Sequence, residues 1–163
     1  MVFADSMTST APVAIRLAFT SSFEMIDFVH LVGTHITRGA GLDDDTVHWV
    51  GVALRECVSN AIKHGNKSDT NKQVFVDFET AQRAAATELR ICVRDQGQGF
   101  DPDALADPLA PENLLKASGR GIFLIKNFMD DVRLRRVPEG GMEVVMTKRL
   151  EPARPSEPSA SVQ

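Results

Sequence analysis

The chain has 163 residues, of which 43% are hydrophobic and 25% are charged, with a formal net charge of −4 at pH 7. This composition is ordinary for a soluble globular protein, and a chain of roughly 150 residues buries about 70% of its extended surface, enough for one core. The weak negative charge gives no reason to expect nucleic acid or an anionic membrane as a direct partner. No apolar run approaches the ~20 residues that span a bilayer, and no secretory signal pattern opens the chain, so the sequence indicates a cytoplasmic protein.

The first part of the chain predicts a strand followed by a helix. Residues 1–12 are rich in Ser, Thr and Ala and predict a flexible lead. Alternating apolar residues predict a half-buried strand over 13–19. Hydroxyl side chains at 20–22 predict N-caps for a helix whose apolar stripe runs from Phe23 to Ile36, and the acidic run Asp43–Asp45 predicts the capped start of the next helix.

This second helix carries the residues on which the functional prediction depends. Its predicted buried stripe comprises Val47, Val50, Leu54, Cys57, Val58, Ala61 and Ile62. Glu56, Asn60 and His64 follow one another at intervals of four and lie on one side of the helix, beside the buried stripe. Gly65 is predicted to end the helix at positive φ. An isolated Glu-x-x-x-Asn is typical of a solvated helix face, so its meaning depends on the patterns downstream.

The middle of the chain predicts two strands and a long loop. The polar run Asn66–Lys72 predicts a surface turn, and strands are expected over 73–79 and 88–94 with a hairpin tip at 80–86. Cys57 and the second cysteine, Cys92, lie in apolar patterns and are expected to be buried thiols rather than a disulfide or metal site. The loop over 101–117 is long for a plain connector and predicts a lid or binding loop.

The last part predicts a helix entered at residues 118–121, then strands over 132–137 and 142–150 joined by a turn at Pro138–Gly141. The Pro-, Ser- and Ala-rich residues 151–163 predict a disordered tail. Successive hairpins favour an α+β fold, a two-layer sandwich with a mixed or antiparallel sheet and helices on one face, in a single domain over 13–150.

Three short patterns in this order predict a nucleotide site. Asp95 at a strand end can accept a hydrogen bond from an exocyclic amino group such as that of adenine, and Gly97 and Gly99 let the backbone approach a planar ligand. Gly119 and Gly121 leave N–H groups available for phosphate at a helix start. Asn60 offers a neutral oxygen to Mg²⁺. The glycine patterns match neither a Walker loop nor a Rossmann fingerprint.

Four segments together resemble the GHKL-type ATP-binding fold of gyrase, Hsp90, histidine kinases and MutL, and more narrowly the bacterial anti-sigma factor serine/threonine kinases. The segments are Glu-Cys-Val-Ser-Asn-Ala-Ile-Lys-His-Gly-Asn at 56–66, Val-Arg-Asp-Gln-Gly-Gln-Gly-Phe at 93–100, Ser-Gly-Arg-Gly-Ile-Phe-Leu-Ile-Lys-Asn-Phe-Met-Asp at 118–130 and Gly-Met-Glu-Val-Val-Met-Thr-Lys at 141–148. The resemblance covers about 13–150 and excludes both tails.

The resemblance implies a role for each site residue. It implies that Glu56 is the general base for an incoming serine hydroxyl, and that ATP and Mg²⁺ are the cofactors. It implies that the metal is held at Asn60 and the adenine at Asp95. The implied nucleotide-binding set is Asn60, His64, Asp95, Gly97, Gly99, Ser118, Gly119, Arg120 and Gly121. His64 has two alternative roles: it contacts phosphate, or it caps the helix or packs at the surface.

The resemblance also implies partners. Similar proteins sequester an RNA polymerase sigma factor, phosphorylate a STAS-domain anti-anti-sigma protein and so control transcription in stress responses. They are homodimers. The first strand and the helix over 23–36 are the candidate dimer interface here, since Phe23 and Phe28 lie on different sides of one helix and cannot easily share one core.

Two positions depart from the family pattern and leave an alternative open. Similar kinases often carry Arg where this chain has Ala117, with Lys116 or Arg120 as possible substitutes for the charge, and Thr where it has Met142. Both departures concern phosphate handling, so the alternative is a non-catalytic ATP-binding module that regulates a partner by contact alone. The ATPase half of a histidine kinase fits less well, because no dimerisation helix with a phosphorylatable His precedes the first predicted strand.

Overall fold

The structure is a computed structural model that describes residues 14–83, 86–99 and 117–150, with the backbone alone for Arg83 and for 117–120. The elements in chain order are β1 (Ala14–Thr20), α1 (Met25–Gly39), α2 (Asp44–Asn60) continued by a π-helical turn (Ala61–Gly65), β2 (Gln73–Arg83), β3 (Ala86–Arg94), α3 (Ala117–Phe128), β4 (Asp131–Arg136) and β5 (Met142–Leu150). The predicted lead, lid loop and disordered tail lie outside the described residues.

The five strands form one sheet in the order β1-β2-β3-β5-β4, and every neighbouring pair is antiparallel. Side chains alternate between the two faces of a strand, so the register places Val76, Val93, Val144 and Leu134 in one row on one face. That face packs against the buried residues of the helices. The predicted α+β sandwich with helices on one face is therefore confirmed.

The core consists of the apolar stripe of α2 and the inner face of the sheet. The predicted stripe residues from Val47 to Ile62 are all buried. Both cysteines are buried and unpaired, as predicted, and burial raises the pKa of both thiols, that of Cys92 to about 12. Cys57 contributes to the core as a small apolar group.

The hairpin between β2 and β3 is longer than the sequence predicts. The prediction that residues 80–86 form the tip is wrong, because ladder pairing continues through Thr80↔Leu89 and Ala81↔Glu88 to the last pair. The Thr87 hydroxyl also donates to Gln82 Oε1 at 3.1 Å. Backbone pairing thus holds polar and alanine residues in a strand conformation for which they have only a weak preference of their own.

The start of α1 differs from the prediction in two ways. The helix begins at Met25 behind Glu24, which makes no side-chain cap bond, so the expected hydroxyl caps do not form. Ser21 is instead buried and donates to the carbonyl of Lys72 at 3.0 Å. Phe23 precedes the helix and is 49% exposed, so it does not belong to the buried stripe.

The start of α2 is as predicted, whereas its end is so only in part. Asp43 caps the helix by accepting from the Thr46 amide at 2.8 Å. The helical run ends at Gly65, as predicted, but the prediction of positive φ at Gly65 is wrong, since the positive φ values lie at Lys67 (φ 55°) and Ser68 (φ 57°). The π turn over 61–65 thus precedes the positive-φ residues.

An aromatic contact joins α2 to α3. The Trp49 ring stacks on Phe128 with ring centroids 4.1 Å apart and an interplanar angle of 12°. Trp49 is 42% exposed, so the stack lies at the surface. Among the described helices, none is both long and apolar enough to cross a membrane.

Candidate functional site

Glu56 and Asn60 form the first half of the site on α2. They are one helical turn apart, both are half-buried, and both face α3. A Cβ added to Gly121 would lie 2.8 Å from Glu56 Cδ and 3.0 Å from Asn60 Nδ2. The α3 backbone therefore touches the carboxylate and the carboxamide directly, at a position where any larger residue would displace them.

The prediction that Gly119 and Gly121 open a helix needs a correction. The sequence places Gly119 and Gly121 before or at the start of a helix, whereas α3 already begins at Ala117. Gly119 lies in the first turn, where N–H groups lack intrahelical partners, but Gly121 lies beyond it. Close contact with α2 is thus the feature that requires Gly121. The side chains of Ser118 and Arg120 lie outside the described residues.

Asp95 lies just past the end of β3 and is only 5% exposed. Its Oδ1 accepts from the amides of Gly97 at 2.8 Å and Met142 at 3.2 Å. Burial raises the pKa of this carboxyl, and the two amide bonds offset part of that rise. In the described part of the chain all hydrogen bonds of the carboxylate fall on Oδ1, which fixes its orientation.

The loop around Asp95 packs against the end of α2. A Cβ on Gly65 would collide with the Asp95 carboxyl group, and a Cβ on Gly97 would collide with the Gly65 carbonyl. Gly99 has φ +70° and Gly141 has φ +97°, both in the left-handed region that favours glycine. Of the two predicted glycines, Gly97 therefore packs between Asp95 and the end of α2, whereas Gly99 packs against Gly141.

His64 lies on the π turn and is exposed. The structure brings Glu56 and Asn60 together but leaves His64 at the surface, since the π turn breaks the four-residue alignment assumed for an unbroken α-helix.

Asn66 is the residue that sequence reasoning missed, because the run Asn66–Lys72 was interpreted as a surface turn. It is 0% exposed. Its Nδ2 donates to Ser21 Oγ at 2.7 Å and to the Gln73 carbonyl at 2.9 Å, and its Oδ1 accepts from the Gln96 amide at 2.8 Å. Ser21 and Gln96 are 45 and 30 residues away in sequence, so no local pattern could have indicated these two partners.

The two parts of the site lie along one helix. Gly65, which contacts Asp95, comes nine positions after Glu56, at the end of the π turn that continues α2. An elongated ligand could therefore contact the buried carboxylate at one end and the Glu56–Asn60 pair at the other. The described residues contain no cluster of three or more His, Cys, Asp or Glu side chains able to hold a metal ion.

The chain is similar in sequence to known serine-protein kinases. The serine-protein kinase RsbW of Staphylococcus aureus strain JH9 is 28% identical over 143 residues, covering 83% of this chain and 86% of that protein, and RsbW of strain NCTC 8325 / PS 47 matches equally.

Among solved structures, the RsbU and RsbW domains of Rv1364c from Mycobacterium tuberculosis superpose with a TM-score of 0.60 at 19% identity. This match covers 87% of the chain and about a third (34%) of that longer protein, so it supports the fold alone. The model of the histidine kinase-like ATPase domain matches residues 22–148, which is most of the chain and includes the site. The chain therefore belongs to the histidine kinase-like ATPase domain family.

Proposed function

We propose that this protein is an ATP-dependent serine kinase that also sequesters an RNA polymerase sigma factor in the cytoplasm. Its substrate is a STAS-type anti-anti-sigma protein, which releases the sigma factor when it is unphosphorylated. The observation that carries the proposal is the half-buried Glu56–Asn60 pair in contact with Gly121, on the same helix whose end packs against the buried Asp95.

The residues present fit ATP and Mg²⁺. Asp95 would accept from the adenine amino group through the oxygen that the Gly97 and Met142 amides do not use. Met142 replaces the Thr of similar kinases, yet its contribution to Asp95 is a backbone amide, which any residue except proline supplies. Asn60 would offer a neutral oxygen to Mg²⁺, whose other ligands are phosphate oxygens and water. Bound Mg²⁺ would neutralise charge on the transferred phosphoryl group.

Glu56 would act as the general base. The serine hydroxyl loses its proton to the Glu56 carboxylate while its oxygen bonds to the terminal phosphorus, and the bond from that phosphorus to ADP breaks. The products are phosphoserine, ADP and one proton carried by Glu56. Phosphoryl transfer demands mainly positioning and charge neutralisation, so one base, one metal and amide donors are a sufficient set.

The test is incubation of the purified protein with labelled ATP, Mg²⁺ and a STAS protein from the same genome. We expect Glu56→Gln to retain ATP and sigma-factor binding while serine phosphorylation slows by roughly 10²–10⁴-fold, the usual contribution of a general base. Asn60→Ala should weaken Mg²⁺-dependent nucleotide binding as well. Glu139→Gln, at an exposed position in the β4–β5 turn, is the matched control and should behave as wild type.

The competing function is a binding module that holds ATP and acts by contact alone. Ala117, where similar kinases carry Arg, favours it. Wild-type protein that binds ATP and a sigma factor but phosphorylates no STAS protein would establish this module and refute the kinase. An active wild type with an equally active Glu56→Gln would retain the kinase and place its base elsewhere.

A further inference from the structure

Asn66 connects three parts of the chain that meet beside Asp95. Its side-chain nitrogen Nδ2 donates hydrogen bonds to the Ser21 hydroxyl, just past the end of β1, and to the Gln73 carbonyl, at the start of β2. Its side-chain oxygen accepts from the backbone amide of Gln96, the residue directly after Asp95. A fully buried carboxamide in which both donors and the acceptor are engaged has one allowed orientation, because turning it would leave buried polar groups unpaired.

A second bond holds the same loop from the other side. Gln96 Oε1 accepts from the Gln73 amide at 2.7 Å, so Gln96 is fixed through its own amide and through its side chain. Gly65, adjacent to Asn66, packs directly on the Asp95 carboxyl group. The position of Asp95 relative to α2 is therefore set by Asn66 on one flank and by the Met142 amide on the other.

We infer that Asn66 is a positioning residue that determines nucleobase specificity: it holds the Asp95 loop in the place where the carboxylate selects a base with an exocyclic amino group. This inference rests on the proposed function, in which Asp95 accepts from adenine. Asn66 itself touches no ligand in this scheme. Asn66 acts on the ratio of affinities for two purine nucleotides that differ only in the exocyclic group facing Asp95.

The ratio of affinities for ATP and inosine triphosphate measures this effect. The inosine base carries a carbonyl where adenine carries the amino group, so a well-placed carboxylate loses a hydrogen bond and gains repulsion. We expect wild-type protein to prefer ATP by about ten-fold or more, from the strength of one charge-assisted bond. Calorimetry on the folded fraction gives both dissociation constants, and loss of folded protein alone leaves their ratio unchanged.

Four variants separate positioning from general stability. Asn66→Ala removes the bond to the Gln96 amide and should lower the ratio about three-fold or more. Gln96→Ala, at an exposed position, removes the second bond to the loop and should lower the ratio in the same direction even if Asn66→Ala does not fold. Ser21→Ala weakens the network but leaves the Gln96 contact, and Asn71→Ala alters an exposed Asn in the same turn; both should keep the wild-type ratio.

Each outcome is decisive. A wild-type ratio in folded Asn66→Ala, or in Gln96→Ala if the first variant does not fold, overturns the inference while the Asp95 assignment stands. A ratio lowered as much by Ser21→Ala as by Asn66→Ala also overturns it, since general loosening then explains the change. A wild type that binds both nucleotides equally refutes the Asp95 assignment itself and the inference with it.

Discussion

At Asp95, the requirements of folding and of binding oppose each other. Burial raises the pKa of the carboxyl above its ordinary value of 3.8. The protonated form is therefore favoured in the folded state, and its stabilising contribution is fully present below pH 3.8 and is lost as the pH rises through the raised pKa. At neutral pH the ionised carboxylate lowers the free energy of unfolding, a pattern more typical of functional groups than of structural ones.

Asp95→Asn separates the two requirements. We expect ATP affinity to fall by about ten-fold or more, because a charge-assisted acceptor worth roughly 1.5–3 kcal/mol becomes neutral and can present a donor. The free energy of unfolding at pH 7 should equal or exceed that of wild type, since the Asn oxygen still accepts from both amides, and this advantage should narrow as the pH falls toward 3.8.

Calorimetry and urea unfolding at several pH values check both expectations, with Asp77→Asn on the opposite face of the sheet as the control. Unchanged ATP affinity in a folded Asp95→Asn variant would contradict the adenine assignment.

The residues that we propose for the chemistry and the residue that supports them differ in how far the sequence indicates them. Glu56, Asn60 and Asp95 follow from side-chain chemistry and from the family resemblance, which local patterns carry. Asn66 closes the first matching segment, yet nothing in the local sequence distinguishes a buried Asn after a helix from an Asn in a solvated turn. Its burial depends on partners brought close only by the completed sheet.

At the scale of elements, Gly33 on α1 packs directly against α2 and the sheet. A Cβ at this position would lie 2.5 Å from Leu54 Cδ2 and 3.4 Å from the Phe78 ring. Leu54 and Phe78 are 1% exposed and belong to the central core, so neither can move outward. The spacing between the two helices and the sheet therefore depends on the absence of a side chain at Gly33.

Gly33→Ala should lower the free energy of unfolding by about 1–3 kcal/mol through overpacking. Gly39→Ala is the matched control in the same helix, because nothing lies within 4 Å of its added Cβ. This control should leave stability unchanged or raise it by up to about 1 kcal/mol through helix propensity. Urea unfolding measures both, and equal effects of the two substitutions would contradict the packing argument.

The periodicity of apolar residues predicts the existence and order of the described helices and strands. Their ends depend on long-range contacts. The β2–β3 ladder overrides weak strand preferences in 80–83, and α1 starts later than its hydroxyl residues indicate because Ser21 is used in a tertiary contact. Helix α3 starts earlier, at Ala117, before the glycines that were expected to open it. Local propensity is a weak guide where long-range pairing is available.

At the scale of the whole molecule, α1 presents large apolar side chains to solvent. Phe28 is 50% exposed and Leu31 is 66% exposed, and Phe23 just before the helix is 49% exposed. Burial of such a surface against a second copy would stabilise the homodimer that the family resemblance implies.

Leu31→Asp should weaken the proposed dimer, raising its dissociation constant by about ten-fold or more, because a charge is placed in an apolar contact. Light scattering over a concentration series, with and without ATP, measures the effect, and Leu124→Asp on α3 is the control. A strict monomer at high micromolar wild-type concentration would contradict the proposal.

The fold is predictable at this scale because four segments spread along the chain resemble one family. The choice of partner is not predictable in this way, because one fold supports many functions and the partner is recognised by surface residues rather than by the core. Binding experiments are therefore the way to identify the sigma factor and the STAS protein that we propose as partners.

The stack between Trp49 and Phe128 gives this protein a built-in optical signal. The chain contains a single tryptophan, so all of its indole emission comes from the contact between α2 and α3. The Glu56–Asn60 pair lies on α2 and contacts Gly121 of α3, so it joins the same two helices. Any shift of α3 that accompanies nucleotide entry should change the emission intensity or wavelength, and stopped-flow mixing would then time nucleotide exchange on the unlabelled wild-type protein.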